Sequence, residues 1–84
     1  MSVHELIGNI FSKDDFMEFI AEMCREESNG IGDWNNYSIE SYLKAICAWV
    51  EDMDGYYKNN NIDMDGLSKW RILADILYAA RIYE

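Results

Sequence analysis

Apolar residues recur at three- and four-residue intervals along almost the whole chain and never alternate for a useful length, which predicts helices and no strands. Val3, Leu6, Ile7 and Ile10 share one face of a short first helix. Ser2, with Glu5 three residues on, opens it in the pattern of a capping box. Ser12 with Asp15 marks a second start, Phe16, Phe19, Ile20 and Met23 form the inner face that follows, and Asn29-Gly30 stops the helix after about Ser28. Ser38 caps a third helix, in which Ile39, Leu43, Ile46, Val50, Met53 and Tyr57 keep a four-three spacing that predicts one buried seam. Tyr42, Trp49 and Tyr56 repeat every seven residues along its flank, and Gly55 is expected to loosen its last turn. A fourth helix begins near Ser68 and runs almost to the end of the chain. It carries Trp70, Leu73, Ala74 and Leu77 on one face and Ile72, Ile76, Ala79 and Tyr83 on another, so it belongs at the centre. Residues 30–37 and 59–66 are loops by composition. The predicted fold is all-α: a single domain over residues 1–84, built as a small bundle of three main helices plus a short N-terminal helix.

Composition supports a folded chain. A domain of 84 residues buries only about 60–65% of its unfolded surface. Half the residues are hydrophobic, with three Trp, six Tyr and three Phe, which is too apolar for a disordered acidic tail. No apolar run approaches the roughly 20 residues of a membrane span, and Met1-Ser2-Val3-His4-Glu5 lacks the basic start and long apolar stretch of a signal peptide. Cys24 and Cys47 lie beside apolar helix positions, so buried free thiols in a reduced cytoplasm are expected, with a disulfide between them open but unneeded.

Charge changes the picture most. Sixteen Asp and Glu face seven Lys and Arg, for a formal charge of −9. Residues 1–42 hold −7 of it and residues 43–84 hold −2. Nucleic acid and anionic membrane surfaces are therefore excluded as partners, and basic proteins are favoured. Asp14, Glu18, Glu22 and Glu26 recur every four residues on the second helix. Like-charge neighbours at that spacing cost a helix about 0.2–0.5 kcal/mol each, so the ladder does not serve local stability. It reads as a solvated face or as a docking face. A second cluster, Glu51, Asp52 and Asp54, stands beside Tyr56 at the edge of the core and Tyr57 within it. Carboxylates next to exposed aromatics suit a protein interface. Asp33 and Trp34 repeat that combination in the first loop, where the indole either plugs the end of the bundle or is presented to a partner.

Other chemistry finds little support. Asn61-Ile62-Asp63-Met64-Asp65-Gly66 matches the start of a calcium loop, but the twelfth position is Ile72 where the pattern needs a bidentate Glu. No metal site is assigned; weak calcium binding by this loop stays open. His4 is the single histidine and reads as a surface residue. Neither cysteine has a local activating arrangement, and no glycine-rich phosphate loop or zinc spacing occurs. No catalytic residue and no cofactor is expected, and the chain is read as a non-enzyme.

Several segments resemble a known family. They are Ser41-Tyr42-Leu43-Lys44-Ala45, the run from Trp49 to Asn59, Ser68-Lys69-Trp70, Leu73-Ala74-Asp75, and Ala79 to Glu84. Over residues 38–84 the chain is similar to short uncharacterised bacterial proteins that form a domain of unknown function. Small proteins of this kind are often found as immunity proteins beside polymorphic or contact-dependent toxins. The resemblance implies a cytoplasmic inhibitor that neutralises a basic, nuclease-type toxin by occluding its active site. The alternative is a non-toxin regulatory or adaptor subunit. A homodimer through the Tyr42, Trp49 and Tyr56 flank is a further option.

Overall fold

Every α-helix starts at a serine. The computed structural model describes residues 2–30 and 34–83. Within them the α-helices are α1 (Val3–Leu6), α2 (Lys13–Ser28), α3 (Ile39–Asn59) and α4 (Lys69–Ala79). Single 3-10 turns follow α1 at Ile7–Asn9 and precede α4 at Met64–Gly66. The Oγ atoms of Ser2, Ser12, Ser38 and Ser68 accept the N–H groups of Glu5, Asp15, Ser41 and Arg71 at 3.2, 3.1, 3.0 and 3.0 Å. Each bond satisfies a backbone donor that a helix start leaves unpaired. The all-α architecture is the one expected, with no strand among the described residues.

The stops are equally local. Asn61 takes the left-handed conformation at φ 57°. The Ile62 and Asn61 N–H groups then donate to the Tyr57 and Lys58 carbonyls at 2.9 and 3.2 Å. This is a Schellman motif with Asn in the position usually held by Gly. Gly30 plays the corresponding part after α2 at φ 69°. Gly55 does not loosen α3, which continues four residues beyond it.

Packing departs from the expected seam. The Cα trace spans 34 × 27 × 18 Å, so its thin dimension holds about two layers of helices with axes about 8–10 Å apart. Helices laid in so thin a body cannot all be covered on two faces. On α3 the packed residues are Tyr42, Ala45, Trp49 and Tyr57. Three of these precede Leu43, Ile46 and Val50 by one residue, or about 100° round the helix. Ile39, Leu43 and Val50, predicted as core, are 81%, 58% and 41% exposed, while Tyr57 is buried as predicted. The Tyr42–Trp49 flank, a candidate dimer surface, is instead spent on the monomer's own core; only Tyr56 remains exposed there. Both cysteines are free and exposed, which corrects the expectation of buried thiols.

The core centres on Val3, Ile10, Phe19, Met23 and Ala74, with Phe16, Ile20, Trp70 and Leu77 packed against it. α4 contacts α2, α3 and the Ile7–Asn9 turn, so it is central as predicted. Ser68 ties the N-terminal segment in by donating its hydroxyl to the Ile10 carbonyl at 2.9 Å while capping α4. Replacing it with Ala removes both bonds and is expected to cost about 1–2 kcal/mol. A lower urea midpoint with unchanged slope would show it, and a cost matching that of Ser12→Ala would refute the dual role.

Candidate protein-binding surface

The acidic ladder does not occupy one face. Four residues turn a helix through about 400°, so each step overshoots by about 40° and the ladder winds toward the core. Asp14 and Glu18 are exposed. Glu22 is engaged by Arg25 through both its Nε and an Nη. Glu26, at the far end, reaches across to accept the Val3 N–H at 2.9 Å. It thereby satisfies a free donor at the start of α1 and docks that helix on α2. Half of the predicted ladder is thus engaged inside the monomer.

Trp34 and Asp52 are also engaged internally. The Trp34 indole packs against Tyr42 at 5.6 Å between ring centroids, with the Arg81 guanidinium 6.0 Å from its own ring centre. The indole is half-buried in this contact, and it also lines the open groove described below. The same guanidinium lies 3.8 Å from the Tyr78 ring, and its Nε donates to the Tyr78 carbonyl at 2.8 Å. Asn36 completes the clasp by donating to the Ala80 and Tyr83 carbonyls, each at 2.9 Å. Asp52 accepts the Tyr83 hydroxyl, and this bond holds the phenol's pKa above its usual value. Asp33 lies outside the described residues.

Glu51, Asp54 and Tyr56 remain exposed on α3. With Asp14 and Glu18, the carboxylates of Glu51 and Asp54 have no cation within 4.0 Å among the described residues. Glu40, also on the outer side of α3, is bridged to Lys44 at 2.9 Å. These acids border the aliphatic stripe of Ile39, Leu43 and Val50. The sequence reading missed this stripe as surface because its spacing is that of a buried seam. Nothing local marks the difference.

Concave surface occurs elsewhere. A groove of about 360 Å³ runs between α2 and the 34–37 segment, lined by Ile20, Met23, Cys24, Glu27, Trp34 and Tyr37 among others. A smaller pocket of about 190 Å³ is lined by His4, Trp49, Tyr56, Arg71, Asp75 and Tyr78 among others. Its floor is a buried polar network. Asp75 accepts the Tyr57 hydroxyl at 2.6 Å on one oxygen and the Arg71 Nε at 2.9 Å on the other. Both oxygens are occupied, so this carboxylate joins α3 to α4 rather than offering a free base. Burial first, and then the bond to Asp75, push the Tyr57 phenol well above the ordinary tyrosine range.

The Asn61–Gly66 segment forms a helix stop and a 3-10 turn in which Asp63 accepts the Asp65 N–H at 3.1 Å. No cluster of three or more His, Cys, Asp or Glu suited to a metal occurs among the described residues, and no helix there is long and apolar enough to cross a membrane.

Residues 12–84 match a family described as a family of unknown function, DUF7660, so the match takes in α2 as well as the C-terminal segments. No curated protein and no solved structure matches the chain.

Proposed function

The chain belongs to the DUF7660 family of unknown function, and we propose that it is an acidic protein-binding module, acting as an immunity protein that neutralises a basic, nuclease-type toxin by occluding its active site. One observation carries the binding role. Glu51 and Asp54 are exposed and without a cationic partner among the described residues, on the helix that also exposes Ile39, Leu43 and Val50. Apolar surface with a charged rim is the anatomy of a protein interface. A net charge of −9 selects a basic partner. Nuclease toxins hold phosphates with Lys and Arg, so a rigid acidic surface fits the same groove. A standard interface of about 800 Å² per partner would take about a seventh of the 5689 Å² accessible surface. The toxin reading is further supported by the resemblance carried by residues 38–84.

The test is a pull-down of the tagged protein from its native cells, eluted with a salt gradient. A stoichiometric basic protein encoded beside this gene, whose toxicity the chain suppresses, is the expected result. A partner without toxicity moves the assignment to a regulatory or adaptor subunit. With the partner in hand, Glu51→Lys with Asp54→Lys is expected to slow association about tenfold at low salt, with a smaller effect at high salt. Unchanged association kinetics for this pair and for Asp14→Lys with Glu18→Lys would sink the electrostatic reading.

A further inference from the structure

Ile39, Leu43 and Val50 are exposed on the outer side of α3, with Ile46 half-buried between them, and the chemistry of that side narrows what covers it. Ile39, Leu43, Ile46 and Val50 form a stripe about three turns, or 16 Å, long. Its N-terminal charges, Glu40 and Lys44, are bridged to each other at 2.9 Å. Its C-terminal charges, the acids Glu51 and Asp54 and the single base Lys58, are not bridged among the described residues, so acid is in excess there.

A second copy of this chain would bring the same excess of negative charge, −9, against this one. An anionic membrane surface is repelled by the same carboxylates. The α2 groove is a weaker candidate, because Glu27 is the single acid lining it among the described residues.

We infer that the Ile39–Leu43–Ile46–Val50 face of α3 docks an amphipathic basic helix of a protein partner. Apolar anchors on that helix, at spacings of three and four residues, pack on the stripe. Its Lys or Arg residues meet Glu51 and Asp54. The inference rests on the basic-partner reading above and adds the docking face and the form of the docked segment.

The two exposed cysteines test it in the intact protein, because Cys47 borders the α3 stripe and Cys24 lines the α2 groove. The probe is a Leu/Lys amphipathic peptide of about eighteen residues, with a Leu/Glu peptide of the same pattern as control. At a concentration about tenfold above its Kd, the lysine peptide is expected to slow iodoacetamide alkylation of Cys47 about tenfold and to leave Cys24 unchanged. Leu43→Lys is expected to weaken peptide binding at least about tenfold, since it removes an apolar anchor and adds a like charge. Met17→Lys on exposed α2 surface is expected to change it by no more than about twofold.

Protection of Cys24 instead of Cys47, or loss of binding on Met17→Lys alone, overturns the α3 assignment while leaving a basic partner intact. Equal binding of the glutamate peptide overturns the charge argument. No binding of the lysine peptide overturns helix docking, and the pull-down then judges the basic-partner reading separately. A free-protein mass of twice 9.9 kDa that Leu43→Lys returns to 9.9 kDa overturns the inference in favour of self-association.

Discussion

Asp75→Ala is expected to remove about 3 kcal/mol of stability, a large share of the roughly 4–13 kcal/mol expected for a domain of this length. Asp75 is buried and joins two donors from different parts of the chain, Tyr57 and Arg71. Its loss leaves the Tyr57 hydroxyl unpaired at 2% residue exposure. It also leaves the Arg71 guanidinium beside apolar surface without its counter-charge. Tyr57→Phe keeps the ion pair and loses one bond, so its cost is expected to be smaller, about 1–2 kcal/mol. Urea unfolding of the two single variants and the double variant measures the coupling, and strict additivity would show that the three groups do not act as a unit.

The same network makes stability depend on alkaline pH. Folding raises the Tyr57 phenol above its ordinary value, chiefly through burial. Above about pH 10 the unfolded chain loses a proton that the folded chain keeps. The contribution is therefore complete below pH 10 and is lost as pH climbs toward the folded-state value, at up to about 1.4 kcal/mol per pH unit. Tyr42 is shifted the same way by burial. Tyr57→Phe is accordingly expected to make the alkaline fall in stability shallower without abolishing it. An unchanged slope would mean that the Tyr57 phenol ionises as freely in the folded chain as in the unfolded one.

The second large effect concerns two apolar residues that the sequence presents as equals. Phe19 is fully buried, and its ring meets Phe16 and Tyr78 at 6.4 and 6.2 Å. Phe19→Ala is expected to cost about 3–5 kcal/mol through lost burial and the cavity left behind. Leu43 keeps the same helical spacing within its own segment, yet it is 58% exposed. Leu43→Ala is expected to cost less than about 1 kcal/mol. Thermal or urea unfolding of both variants decides the matter. Similar losses would mean that the outer face of α3 is covered in solution, which would also remove the surface on which the docking inference stands.

Sequence reasoning reached different depths at different residues. The serine caps and the stop at Gly30 were legible because each depends on the backbone within a few residues of itself. The fates of Glu26 and Trp34 were not. Glu26 bonds Val3, 23 residues away, and Trp34 packs on Arg81 near the end of the chain. Asp75 gave a signal that could have been used: a carboxylate in the middle of a helix apolar on two faces needs buried partners, although the pattern does not name them. The exposure of Ile39, Leu43 and Val50 left no such signal.

The sequence by itself determined the helical class, the helix starts, the excess of negative charge and the central place of α4. Periodicity and capping are local, and net charge is a sum that needs no geometry. Only the tertiary structure decided which of two adjacent apolar faces of α3 is core, and which acids are left for a partner. Both depend on how many neighbours surround each helix. In a fold about two helix layers thick there are too few to cover every apolar face.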